Sequence, residues 1–349
     1  MNGELLAAEM AEQPDVLARV TARAPADAEA VRAVVPRPLA GVVFLARGSS
    51  DNAAVFGRYL AELRAGRPAG LAAPSLYTRY HATVDWRGYL VVALSQSGAT
   101  PEIISTCQAV RAGGAVVLGI TNEPDSPLAD AVDILLSTDA GPERAVPATK
   151  TVTAQLALLV TVTSALRAGA VGGNPDAAGT PDAASRAPGG GTLDGLPGAV
   201  AGVLGDPGPV ERLADRWRGL DRLVVAGRGL AYAAALETAL KVKETTGILA
   251  EGISTADLLH GPIAAVYAGA PILLVDGGGP ADTDLDELRA LLASRRARAA
   301  SLPVPPGLPE AVHVIAAITR GQQLSYELAR ARHVNPDAPA HLSKVTATT

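Results

Sequence analysis

The sequence has a single cysteine, Cys107, which excludes an internal disulfide and any cysteine-based zinc site. Aromatic residues make up only 3% of the chain, so its core has to be filled by Ala, Val, Leu and Ile. No Lys/Arg-rich patch interleaved with aromatics occurs. A net charge of −5 also argues against a nucleic-acid footprint, which needs a basic face. Long apolar runs are missing too: Leu156–Leu166 is apolar but too short to cross a bilayer, and reads as a buried helix. The N-terminus lacks a basic region with an apolar run behind it, so the cytoplasm is the expected compartment.

What is present suits a globular protein. The chain has 349 residues, 48% hydrophobic against 19% charged, enough for two domains that each bury a full core. Cys107 falls in an apolar-periodic segment and is expected to be a small core residue. Residues 1–36 read as a helical arm, with Pro14 opening a second helix. GVVFLARGSS follows as a β-rich run that ends at Gly48 and meets Ser49-Ser50-Asp51, which is N-cap chemistry for the next helix. YLVVALSQSGAT repeats the unit, with strand Leu90–Leu94, a polar turn and a helix over Pro101–Ala112. AVVLGIT and VDILLST are further buried-strand candidates, and Ala148–Ala168 is a long helix. Such alternation predicts an α/β fold with a parallel sheet covered on both faces.

Residues 171–206 turn to Pro, Gly, Ala and Asp, and read as a flexible linker. The second half then repeats the first in outline, since DRLVVAGRGL matches GVVFLARGSS and strand–helix segments follow it. A tandem duplication is expected, with ligand at the carboxyl ends of the strands.

Two places carry candidate chemistry. The turn Ser95-Gln96-Ser97-Gly98-Ala99-Thr100 lies between a buried strand and a helix start, offering hydroxyls and backbone N–H groups at the positive end of a helix dipole. Gly98 lets the backbone approach an anion, and without a P-loop lysine a monophosphate fits better than a triphosphate. Ser49, Ser50 and Thr149 could add hydroxyls; three ordinary helix caps would look the same. The second place is ALKVKETTGILAEGISTADLLHGP. Lys241 and Glu244 stand three apart and share a helical face, while Lys243 points elsewhere. With His260, held by Gly261-Pro262, they could form a proton-transfer set. A surface ion pair followed by a capping loop is the competing reading.

LSQSGAT after a strand, ATKTVTAQL on a helix, ALKVKE with LLHGP, and the C-terminal HLSKVT together resemble the sugar isomerase (SIS) family. More closely they resemble the isomerase half of glutamine–fructose-6-phosphate aminotransferases and the related stand-alone glucosamine-6-phosphate deaminases. The resemblance implies two tandem SIS domains, each a parallel sheet flanked by helices in a flavodoxin-like three-layer sandwich. A phosphate-binding domain would span 37–170, and a second, 207–349, would carry a catalytic C-terminal tail. It implies that Ser50, Ser95, Ser97 and Thr100 hold a sugar phosphate, with Gln96 beside them. Glu244 would move a proton between C1 and C2 of the open-chain sugar. His260 would open the ring, reaching in from the neighbouring subunit of a homodimer whose active site lies at the interface. Lys241 and Lys344 would sit beside the substrate's C1–C2 oxygens and nitrogen, Lys344 on the closing tail; a tail-to-body ion pair is the alternative for Lys344. Ser49, Thr149 and Glu251 are further substrate-site candidates.

No cofactor and no metal is expected, because His81, His313, His333 and His341 are scattered along the chain. Ala99 stands where the aminotransferases carry an acidic residue, and Ala148 where they carry a serine. No glutaminase domain or N-terminal cysteine nucleophile precedes Met10, so the expected reaction is glucosamine 6-phosphate to fructose 6-phosphate and ammonia. The alternatives are a dehydratase acting on N-acetylglucosamine 6-phosphate through the same C2 proton abstraction, and a non-enzymatic sugar-phosphate sensor. A sensor would want a helix-turn-helix head, which the N-terminal arm is too short and too weakly basic to supply.

Overall fold

The computed structural model describes residues 3–169, 193–339 and 342–344. His341 and the part of the expected linker before Leu193 lie outside the described residues. The chain divides into two compact units.

One unit comprises Val16–Pro142, Ala154–Gly190 and Val345–Thr349. Its strands are β1 (Gly41–Leu45), β2 (Ala69–Leu71), β3 (Tyr89–Leu94), β4 (Val116–Thr121) and β5 (Ile134–Ser137). They form one parallel sheet in the order β2-β1-β3-β4-β5, with Val42 opposite Leu90 and Leu90 opposite Val116. The central strands β3 and β4 are mostly apolar and buried beyond their first residue, the pattern of a sheet buried on both faces. Cys107 packs in this core beside Val91 and Ile103, and burial pushes its thiol up to about 12, which makes it inert at neutral pH. From β1 the chain moves outward to β2, then from β3 the other way to β4 and β5. The order therefore reverses between β1 and β3, the kind of point at which open α/β sheets take their ligands, outside the carboxyl ends of the strands.

The other unit comprises Met1–Asp15, Glu143–Thr153 and Gly191–Lys344. Strands β6 (Arg222–Gly227), β7 (Leu249–Ser254), β8 (Pro271–Val275) and β9 (Arg298–Ser301) form a second parallel sheet, order β7-β6-β8-β9, whose reversal lies between β6 and β8. The helix Glu310–Ala331 is buried almost throughout and packs on the helix Ala231–Thr246. The two backbones approach closely at Gly321, where a Cβ would fall 2.1 Å from Thr238 Oγ1, and Thr245 Oγ1 donates to Ser325 O at 3.1 Å. A side chain at 321 would collide with Thr238, on the helix that carries Lys241 and Glu244.

Three edge strands, β2, β7 and β9, are not visible in the sequence, because AGL, LAEGIS and RAAS are half-exposed and have no sustained apolar run. The linker assignment of 171–206 overreaches at its C-terminal end, where Leu196–Gly205 is a helix packed on Glu310–Ala331. Its buried Leu196, Val200 and Val203 hold helical spacing that the surrounding glycines conceal. The N-terminal arm is two helices, Glu4–Ala11 and Gln13–Val34, with Pro14 in the first turn of the second. Among the described residues no helix is long and apolar enough to cross a membrane.

Candidate active site

The hydroxyl-rich turns of the first sheet meet at its reversal point. β1 ends into Gly48-Ser49-Ser50 and β3 into Ser95–Thr100, and these two strands are neighbours. Gly48, at φ 61°, is the N-cap of the helix Ser49–Ala65, so Ser49 and Ser50 lie within its first turn, where the sequence had suggested the cap itself. Thr100 is the N-cap of Pro101–Ala112, and neither cap position uses a side-chain hydrogen bond. Side-chain capping therefore does not account for the Thr100 hydroxyl. Ser50 and Ser95 are buried, while Ser49, Gln96, Ser97 and Thr100 are half-buried.

The turn's shape is set by its backbone. Gly98 N donates to Ser95 O at 3.2 Å, Ala99 N to Ser97 Oγ at 3.3 Å, and Asn122 N to Gln96 O at 3.1 Å. Gly98 sits at φ 58°, and a Cβ there would land 1.9 Å from Ser126 Oγ, so the position requires glycine twice over. Ser95 Oγ lies 3.5 Å from Thr100 Oγ1, which puts two hydroxyls at the mouth of a helix whose dipole favours an anion.

In the second unit, the helix Ala231–Thr246 buries Lys241 completely and leaves Lys243 in solvent, as their spacing predicts. The Lys241 ammonium bonds the Glu244 carboxylate and lies 3.6 Å from Glu237 Oε1. Burial pulls its pKa down, but the Glu237 and Glu244 carboxylates more than offset that pull and leave it raised. Glu244 is the accessible member of the set, with its side chain 22% exposed against 2% for Lys241. The pair is therefore no surface ion pair: a partly exposed carboxylate is held by a buried ammonium.

Lys344, on the C-terminal tail, donates to Glu143 Oε2 at 2.9 Å and to Ala145 O at 2.8 Å. Glu143 is wholly buried and also accepts from Thr149 N, Thr151 N and Thr151 Oγ1, at the start of the helix Lys150–Gly169. Burial pushes its carboxyl up, yet the Lys344 ammonium and those donors bring it below the usual carboxylate range. Its charge contributes to the raised pKa of Lys241, so the two lysines share one electrostatic neighbourhood. Thr149 is buried, and its Oγ1 has no hydrogen-bond partner among the described residues.

Two further candidates are exposed. His260 follows the short helix Thr255–Leu259 and is exposed, without a side-chain hydrogen bond among the described residues. Glu251 is exposed on edge strand β7, lining an apolar groove with Leu258, Pro262 and Tyr267. Sequence reasoning overlooked Glu143, Glu237 and Glu9, the last of which accepts from Arg144 N and Ala145 N. A faint signal existed for Glu143, an acid placed just ahead of the hydroxyl-rich helix start in GPERAVPATK.

Two parallel sheets, each with one reversal of strand order, define a doubly wound α/β protein. The SIS domain family matches residues 41–165 and 218–302, and the chain belongs to it. Over 358 residues it is 33% identical to the glutamine–fructose-6-phosphate aminotransferase [isomerizing] of Aeropyrum pernix, covering 96% of this chain and 56% of the relative. It spans about half the length of the curated relatives it matches. Among solved structures, the C-terminal domain of glucosamine-fructose-6-phosphate aminotransferase from Francisella tularensis superposes with a TM-score of 0.82 at 24% identity, covering 96% of this chain and 98% of that one. Glucosamine-6-phosphate deaminase from Thermotoga maritima superposes at 0.73 and 20% identity, covering 99% and 100%. At these identities the two structures establish the fold.

Proposed function

We propose that this protein is an amino-sugar-phosphate isomerase and deaminase, converting glucosamine 6-phosphate and water into fructose 6-phosphate and ammonia. The observation that carries the reading is Glu244, a partly exposed carboxylate held by the buried ammonium of Lys241. One substrate has a group for each set of residues: a phosphate for the hydroxyls of Ser50, Ser95, Ser97 and Thr100, and a C2–H for Glu244. In the open-chain sugar, Glu244 takes the proton from C2 beside the C1 aldehyde, and a lysine ammonium steadies the developing oxyanion. Return of the proton to C1 leaves an imine at C2, which water hydrolyses to the ketone with loss of ammonia. The relatives' names contain fructose 6-phosphate, which supports a hexose 6-phosphate as the ligand.

His260, exposed on its loop, is assigned to ring opening in the site of a second copy, so the working unit in this reading is a homodimer. The purified protein incubated with glucosamine 6-phosphate should release ammonia and fructose 6-phosphate in equal amounts. An ultraviolet-absorbing product from the N-acetylated sugar, with no ammonia from the free amine, would replace deamination by dehydration. Binding of both sugars without any product would leave a sensor.

A further inference from the structure

The seat of Lys344 is more elaborate than a tail-to-body ion pair needs. An ammonium has three donors. Two are used, on Glu143 Oε2 and Ala145 O, and the side chain keeps 23% exposure for the third. Both acceptors are themselves held. Glu143 takes Thr149 N at 2.9 Å, Thr151 N at 3.2 Å and Thr151 Oγ1 at 2.7 Å. Arg144 N and Ala145 N donate to the Glu9 carboxylate of the helix Glu4–Ala11. The N-terminus of that helix is in turn capped by the tail, since Gly3 N and Leu6 N donate to Asp337 at 3.0 and 2.8 Å, and Val146 N donates to Asp337 O at 2.9 Å.

We propose that Glu143 is the positioning residue of the tail lysine: its buried carboxylate fixes the Lys344 ammonium with one N–H directed to substrate. The kinetic part of this inference rests on the reaction proposed above; the seating part does not. Charge at 143 is essential to it. A glutamine there has a single acceptor oxygen, and its NH₂ would oppose either Lys344 or Thr151, donor against donor.

The test combines labelling with kinetics on the full chain. A short pulse of an amine-acylating reagent, read by mass spectrometry, should modify Lys344 slowly in the native protein and roughly tenfold faster in Glu143→Gln, the loss of one charge-assisted bond. With glucosamine 6-phosphate, Glu143→Gln should lose roughly tenfold or more in kcat while KM changes less than about threefold, because the phosphate hydroxyls are untouched. Glu143→Asp, keeping the charge, should recover part of both. Thr151→Val, a milder change that removes one donor to the same carboxylate, should move both readouts in the same direction if Glu143→Gln does not fold. Glu12→Gln breaks the Lys150 ion pair in the same unit and should leave Lys344 labelling as in the native chain. Equal labelling in the native protein, Glu143→Gln and Thr151→Val would overturn the proposal. Protection lost in Glu143→Gln, in a protein that turns over no sugar phosphate, would uphold the seating and remove the reaction instead.

Discussion

The two sheets share a topology and have parted in chemistry. Each reverses its strand order once, between β1 and β3 in the first and between β6 and β8 in the second. At the first reversal the turns carry Ser49, Ser50, Ser95, Ser97 and Thr100. At the second the corresponding turns read Gly227-Arg228-Gly229 and Asp276-Gly277-Gly278-Gly279. There the backbone N–H groups of Gly277 and Gly278 already donate to the carboxylate of Asp282, both at 2.8 Å, and Arg228 pairs with Asp284 at 2.8 Å. Both reversals carry an arginine ion pair, since Arg47 pairs with Glu102 at 3.0 Å at the first. The difference is that at the second a carboxylate, that of Asp282, also takes two backbone N–H groups of the turn, while the turns of the first carry hydroxyls. The lesson is that a strand–turn–helix repeat specifies where a ligand can sit, and the side chains at the turn decide whether it does.

The largest effect should come from the proton-transfer residue. Glu244→Gln is expected to fold, to bind glucosamine 6-phosphate and to lose about 10²- to 10⁴-fold in kcat, as measured by ammonia release. Activity close to that of the native chain would remove Glu244 from the mechanism. Next come the turns themselves. Gly98→Ala should destabilise by about 1–3 kcal/mol, because left-handed backbone and a collision with Ser126 act together. Gly229→Ala, at φ 59° with only Ala281 Cβ 3.1 Å away, should lower the melting temperature less. Equal shifts would mean that the first turn is no more tightly built than the second.

A tenfold loss of affinity, about 1.4 kcal/mol, is expected for Ser95→Ala titrated with a sugar phosphate. Asp282→Asn, which alters the carboxylate held by the turn at the second reversal, should cost stability of about 1 kcal/mol and leave that affinity unchanged. A weaker sugar-phosphate affinity in Asp282→Asn would undo the contrast between the two reversals.

The smallest difference should appear in acid. Glu143 has a lowered pKa, so its charge contributes stability that is complete above the ordinary carboxylate value of about 4.3 and is lost as pH falls through its lower folded value. Asp51, in the other unit, is raised, chiefly by burial and against the opposing Arg47 charge. Its contribution has the opposite sign: present in acid and lost as pH rises through its folded value. Denaturant melts of Glu143→Gln and Asp51→Asn between pH 3 and pH 7 should therefore diverge from the native protein in opposite senses. Parallel curves would show that the two carboxyls do not report their units separately.

Much of this was legible along the chain. The long apolar strands β1, β3, β4, β6 and β8 announce themselves, because a strand buried on both faces has to be continuously hydrophobic. The face shared by Lys241 and Glu244 follows from helical spacing alone, and the glycine at 98 from the turn that surrounds it. The edge strands and the helix Leu196–Gly205 were hidden, the former by exposure and the latter by glycine-rich surroundings. The resemblance put Glu251 and His260 among the site candidates, and no local pattern gives their exposure. The fold sends Glu251 to an exposed sheet edge and His260 to an exposed loop.

The sequence by itself determined the periodicities, and with them the class of fold, the two-part repeat and the hydroxyl turns, because all of these depend on residues close together in the chain. Only the tertiary structure decided that Lys241 is entombed rather than solvated, and that Lys344 meets Glu143 across some two hundred positions of sequence. Burial and long-range pairing arise from how separate elements pack. No local pattern encodes which distant carboxylate will be waiting for a buried ammonium.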